Sequence, residues 1–153
     1  MLALTLVYIS LSGNTESFVT RLKTYLEAQR KMTVPLVHVK ELVREEEEYF
    51  TVETPFVAFL PTYLEGGDGV HSGDKEILTT PLGDFIAYRD NRKRCLGIVG
   101  SGNRNFNHQY CLTAKQYSER FGFPVIDTYE LRGLTADVER IGDKILDLVE
   151  NKW

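Results

Sequence analysis

Three short stretches hold the residues of this chain whose types and spacing could do chemistry. They are Ser10-Leu11-Ser12-Gly13-Asn14-Thr15, Thr62-Tyr63-Leu64-Glu65-Gly66-Gly67 and Ser101-Gly102-Asn103-Arg104-Asn105-Phe106-Asn107, and each follows an apolar run. Glycine, hydroxyl and amide residues dominate all three, a composition suited to gripping a ligand. The first stretch, SLSGNT, leads into a helix-like pattern. A loop entering a helix presents unpaired backbone N–H groups and the positive end of the helix dipole, which together suit a phosphate monoester. Gly13 permits a sharp turn, and Ser10, Ser12, Asn14 and Thr15 add short donors. The same residues also fit a plain capped turn with Asn14 or Thr15 as the cap, so the loop alone leaves two readings open. A nucleotide-binding loop of the Gly-Lys-Ser/Thr type is excluded, as is a GxGxxG dinucleotide turn. A phosphatase-type loop would need a cysteine and an arginine between Ser10 and Thr15, and neither occurs.

The second stretch offers Tyr63, a face on which a flat ring could stack, flanked by Thr62 and Leu64. Its paired glycines, Gly66 and Gly67, can bring backbone groups close to a ligand. In the third, Ser101, Gly102, Asn103, Asn105 and Asn107 are polar edge-binders and Phe106 is a second possible stacker. A surface loop with an ordinary tyrosine and a glycine-rich turn over a buried phenylalanine are the plain alternatives.

The elements between these stretches alternate. Leu2–Ile9, Val34–Val39, Pro55–Leu60, Cys95–Val99 and Pro124–Tyr129 are short apolar runs of strand length. Phe18, Val19, Leu22, Tyr25 and Leu26 recur at helical spacing. So do Tyr110, Ala114, Tyr117 and Phe121, and again Val138, Ile141, Ile145, Leu148 and Val149, this last helix capped by Thr135 with Asp137 in its first turn. Leu82, Phe85, Ile86 and Arg89 predict one further helix ending in Arg92-Lys93-Arg94, and Glu45–Glu48 reads as a solvated loop or helix end. Buried strands alternating with helices imply a parallel sheet covered on both faces. The expected architecture is a doubly wound five-stranded α/β sandwich of order 2-1-3-4-5, one domain over residues 1–153. That fold brings the loops after strands 1, 3 and 4 to one rim, where ligands bind. A phosphate at the first helix, a planar heteroaromatic against Tyr63 or Phe106 and polar edges met by the third loop describe flavin mononucleotide, FMN.

The formal charge of −4 over 153 residues argues against a nucleic-acid partner. No run approaches the ~18 apolar residues of a membrane span. The opening residues lack a basic segment and a small-residue cleavage site, so a cytoplasmic protein is expected. Cys95 and Cys111 read as reduced, buried thiols, and His38, His71 and His108 show no metal-ligand spacing.

SLSGNT resembles the phosphate loop of flavodoxins, a Ser/Thr-x-Ser/Thr-Gly-Asn-Thr run. GSGNRNFN, from Gly100 to Asn107, and YELRG, from Tyr129 to Gly133, resemble the corresponding runs of the flavodoxin-like NrdI family, activators of class Ib ribonucleotide reductase, and the resemblance spans the chain in order. The 61–81 loop departs from that pattern in being longer than the compact loop of many members. The resemblance implies that reduced FMN reacts with O2 to supply superoxide or peroxide for assembling the dimanganese–tyrosyl radical cofactor in the small reductase subunit. The protein itself would hold no metal and no catalytic side chain. It would dock on that subunit through its flavin face and draw electrons from a flavodoxin reductase that the sequence does not identify. Backbone groups of Glu65, Gly66 and Gly67 are expected near the flavin N5. A modest net charge, with Arg104 in the third loop, implies two one-electron potentials closer together than in a strongly acidic carrier. The alternative is a generic short-chain flavodoxin passing single electrons. A receiver domain of the same topology would need acidic residues after strand 1 and an aspartate ending strand 3, where this chain has Ser10-Leu11-Ser12 and Pro61-Thr62.

Overall fold

A computed structural model describes residues 3–11, 13–44, 49–61, 80–102 and 111–152. The predicted strands form a parallel sheet in the order β2-β1-β3-β4-β5, as expected. They are β1 (Thr5–Tyr8), β2 (Leu36–His38), β3 (Phe56–Pro61), β4 (Cys95–Gly102) and β5 (Val125–Glu130). Successive side chains alternate between the faces, and both faces are covered. Leu6, Tyr8, Val57 and Phe59 pack under α1 (Asn14–Gln29) and α6 (Thr135–Lys152), against Phe18, Leu22, Leu26, Ile141 and Ile145. Val7, Ile9, Phe56, Ala58 and Leu60 point the other way. They meet Leu82, Phe85 and Ile86 of α3 (Thr80–Ala87) and Ala114 and Tyr117 of α5 (Leu112–Phe121). Two cores on opposite sides of one sheet make the chain a three-layer sandwich. Among the described residues no helix is long and apolar enough to cross a membrane.

Several boundaries differ from the sequence expectation. Regular pairing in β1 starts at Thr5, and Leu2 lies outside the described residues. β2 stops at His38, because Val39 begins a six-residue helix, α2 (Val39–Arg44), that the pattern did not predict. The single helix expected from Leu82 to Arg94 is two, α3 and α4 (Asn91–Arg94). They are separated by Arg89 at φ 47°, a left-handed turn that no continuous helix tolerates. Asn91 fixes that break from inside: its Oδ1 accepts from Val52 N–H at 2.8 Å, and its Nδ2 donates to the Phe50 and Phe85 carbonyls at 3.0 and 2.9 Å.

β4 runs through Gly102, past the Val99 at which the sequence placed its end. Gly100-Ser101-Gly102 has loop chemistry, yet strands lie on both sides. Pro61 pairs with Ser101, and Gly102 with Glu130, so the ladder continues. α6 begins at Thr135, which is therefore its first helical residue. The residue before it is Leu134, whose N–H donates to Asp137 Oδ2 at 2.7 Å, so the Asp137 carboxylate of the first turn, rather than the expected Thr135 hydroxyl, is the side chain that reaches back to the helix start. The Glu45–Glu48 run and Tyr110 lie outside the described residues.

Candidate functional site at the carboxyl rim of the sheet

The first loop leaves the sheet at Ile9, whose N–H still donates to the Phe59 carbonyl at 3.1 Å. Ser10 then turns away, nearly buried, with its N–H donating to His38 Nε2 at 3.1 Å. Leu11 packs partly buried on the α3 side of the sheet. Gly13 adopts φ 91°, a left-handed conformation that favours glycine, and α1 starts at Asn14. Neither Asn14 nor Thr15 is the cap. Gly13 stands in the cap position without a side-chain bond, and the oxygen that reaches the helix is Ser10 Oγ, which accepts from Glu16 N–H at 3.2 Å. Ser17 N–H goes to the Gly13 carbonyl at 3.0 Å. The Asn14 and Thr15 N–H groups thus remain at the open end of the helix.

The Thr15 side chain is the informative one. It is 1% exposed, and among the described residues its hydroxyl makes no hydrogen bond of ordinary geometry, with only the Tyr129 phenol as a loose polar neighbour. Burial pushes the pKa of the neighbouring Tyr129 phenol well up, and the Ser101 hydroxyl and then the Thr15 hydroxyl beside it pull it back only in part. A buried hydroxyl left without a partner carries a desolvation cost of about 1–3 kcal/mol. A phosphate oxygen at the helix mouth is the partner such a group fits.

Ser101 and Gly102 reach the same rim from the end of β4, and Leu131 N–H donates to the Gly102 carbonyl at 2.8 Å. The fold therefore brings together Ser10, Leu11, Gly13, Asn14, Thr15, Ser101 and Gly102. Ser12, Thr62, Tyr63, Leu64, Glu65, Gly66, Gly67, Asn103, Asn105, Phe106 and Asn107 lie outside the described residues, as does Arg104.

Two groups of residues join the rim that residue type alone did not single out. The β5–α6 loop, which carries YELRG, is fastened to α1. Arg21 donates to the Gly133 carbonyl at 3.1 Å and to the Arg132 carbonyl, while Arg132 Nε donates to Asn14 Oδ1 at 3.2 Å, setting a cation beside the first loop. Gly133 sits at φ 76°, where a Cβ would come within 2.7 Å of the Phe18 ring. Phe18 in turn stacks on Tyr129 with ring centroids 3.9 Å apart. A cavity of about 680 Å³ runs along this loop, between Asp127 and Arg140.

The second group surrounds His38, whose ring stacks on Tyr8 at 4.6 Å. Tyr8 donates to Glu16 Oε1 at 3.1 Å, and burial together with Glu16 raises its pKa strongly. His38 Nδ1 is buried without a hydrogen bond, 3.9 Å from carboxylate oxygens of both Glu16 and Glu41. Burial holds the His38 pKa below its usual value, against the opposing pull of those two carboxylates. The available signal was register: Tyr8 and His38 are opposite one another at the ends of neighbouring parallel strands. Both cysteines are buried and outside any disulfide, and burial pushes the Cys95 thiol to about 12, which leaves it unreactive.

The model of the NrdI flavodoxin-like family matches residues 6–143. An NrdI-like protein of Streptococcus pneumoniae strain R6 is 61% identical over 98% of this chain and 97% of its own. The NrdI protein of Bartonella bacilliformis is 32% identical over 90% of each chain. Among solved structures, a short-chain flavodoxin associated with a bacterial microcompartment superposes with a TM-score of 0.69 over the whole of both chains at 17% identity. Oxidised flavodoxin 2 from Bacillus cereus gives 0.60 over 97% of this chain and 98% of its own at 20% identity. The chain thus belongs to the NrdI flavodoxin-like family, whose fold and kinship imply a flavin as the class of cofactor.

Proposed function

We propose that this protein binds FMN with its phosphate in the first loop and, once reduced, serves as the activator of class Ib ribonucleotide reductase. The observation that carries the cofactor reading is the buried Thr15 hydroxyl at the mouth of α1, which makes no hydrogen bond of ordinary geometry among the described residues. The free end of α1, the Gly13 turn and the nearby Arg132 support it. Thr62, Tyr63, Leu64, Glu65, Gly66 and Gly67 on one side, and Ser101, Gly102, Asn103, Asn105, Phe106 and Asn107 on the other, would enclose the ring system. When bound and reduced, the flavin would give electrons to O2, yielding superoxide by one electron or hydrogen peroxide by two electrons and two protons. The chain's own part is to bind, to orient and to leave one edge open. Family membership supports the small, dimanganese subunit as recipient of that oxidant and a flavodoxin reductase as electron donor. Leu131 and Leu134, 51% and 74% exposed, stand beside Arg132 on the same rim and offer apolar surface for docking.

The test has two stages. Purified protein reconstituted with FMN is expected to show flavin absorption bands and to quench flavin fluorescence. A protein that stays colourless refutes the cofactor reading. The reduced holoprotein, exposed to O2 with a manganese-loaded small subunit, is expected to generate the tyrosyl radical detected by electron paramagnetic resonance. Normal flavin binding with no radical would favour the one-electron carrier.

A further inference from the structure

His38 has no part in the site as proposed, yet it holds the residue that opens the first loop. Its Nε2 accepts the Ser10 N–H at 3.1 Å, and an imidazole nitrogen can accept only through an unprotonated lone pair. The neutral ring must therefore carry its proton on Nδ1, which is buried, makes no hydrogen bond and faces Glu16 and Glu41 at 3.9 Å. Among the described residues, Tyr8 from β1, Glu16 from α1, and Glu41 and Lys40 from α2 are the titratable groups around it, and Tyr8, Glu16 and Glu41 share with Leu36, Val37, Leu42 and Phe50 the walls of a cavity of about 420 Å³. A second proton would put an N–H on Nε2, directly against the Ser10 N–H. Two donors cannot share that contact, while the two carboxylates would draw a charged ring towards themselves. Ser10 cannot shift alone, because its Oγ also holds the Glu16 N–H in the first turn of α1.

We propose that His38 is the positioning residue of the first loop: its unprotonated Nε2 fixes the Ser10 amide, and protonation of the ring releases Ser10 and loosens the grip on phosphate. The second half rests on the FMN reading; the first does not. Acidification would then weaken flavin retention through a group that never touches the flavin.

The coupling is tested on the full chain without flavin by following the His38 ring nitrogens and the Ser10 amide by NMR between pH 5 and 8. The Ser10 resonance is expected to move with the same midpoint as the ring, and to lose that transition in His38→Gln. FMN affinity is then measured by fluorescence quenching. The Gln side chain keeps an acceptor that does not titrate, so at pH 8 this variant is expected to bind within about twofold of the native protein. His38→Phe keeps the stacking but loses the acceptor and is expected to bind about fivefold more weakly. From pH 8 to pH 5 the native protein is expected to lose about tenfold more affinity than His38→Gln, since protonation of the phosphate itself is common to both. A Ser10 amide indifferent to the His38 titration overturns the proposal. So does FMN that binds relatively tighter to the native protein on acidification, as a direct attraction between imidazolium and phosphate would produce. Should the Phe variant not fold, the native protein and the Gln variant decide. A protein that binds no FMN at any pH refutes the cofactor reading, and the Ser10 titration still judges the coupling.

Discussion

Thr15 separates binding from stability. Among the described residues its hydroxyl makes no hydrogen bond of ordinary geometry, only a loose approach to the Tyr129 phenol, so Thr15→Val, which keeps the shape, is expected to leave folding stability unchanged or to raise it by up to about 1 kcal/mol. The same change is expected to weaken FMN by roughly tenfold or more, since a hydrogen bond to a charged group is worth about 1.5–3 kcal/mol. Urea denaturation and flavin titration of one preparation check both halves. Ser10→Ala should behave oppositely in the fold, costing about 1 kcal/mol because its Oγ holds the Glu16 N–H. At this scale the sequence was legible where chemistry is local. A Ser-x-Ser-Gly-Asn-Thr run before an amphipathic pattern points to a helix mouth whatever the rest of the chain does. It was illegible where a role depends on a neighbour far away in the chain. Nothing near His38 hints that its ring meets Ser10, 28 residues earlier, because that contact exists only once two strands are aligned.

Elements show the same division. Apolar runs and helical stripes identified the five strands and the longer helices, since burial on both faces leaves a strong periodic signature. The ends were set by neighbours. β4 continues through Gly-Ser-Gly because strands flank it, and α2 is too short to carry a stripe. The break between α3 and α4 depends on Asn91, a polar residue buried by contacts that sequence does not display. Asn91→Ala removes three internal hydrogen bonds and is expected to destabilise the protein by about 3 kcal/mol in denaturant melts, far more than a surface asparagine would. Gly133→Ala is expected to cost at least about 2 kcal/mol, from its left-handed φ and from the Phe18 ring in the way, which accounts for the glycine in YELRG.

For the whole molecule, titrating groups set a window of stability. Burial holds the folded His38 pKa below its unfolded value near 6.5, so the unfolded chain takes up the proton first. Its contribution is complete above about pH 6.5 and fades as pH falls from there. Burial would raise the Asp127 pKa, but Lys144 and Arg140, at 2.8 and 2.9 Å, outweigh it and hold the group low, so a second loss begins below about pH 4. On the alkaline side burial raises the Cys95, Tyr8 and Tyr129 pKa values, and stability falls once the unfolded thiol and phenols ionise, above about pH 9. Urea midpoints measured across pH are expected to be highest near pH 7–8.5, and His38→Gln should flatten the limb between pH 7 and 5. The ends of the sheet have a further consequence. A bare parallel sheet offers two rows of unpaired backbone groups to any passing strand. Here one border is β2, only three residues long before α2 diverts the chain. The other is β5, where Asp127 is clasped by Arg140 and Lys144 from α6, which sets bulky charge along the margin. Edge-to-edge polymerisation finds too short a template on one side and a fence of ion pairs on the other, so crowded copies of this chain have little means of extending one another's sheets.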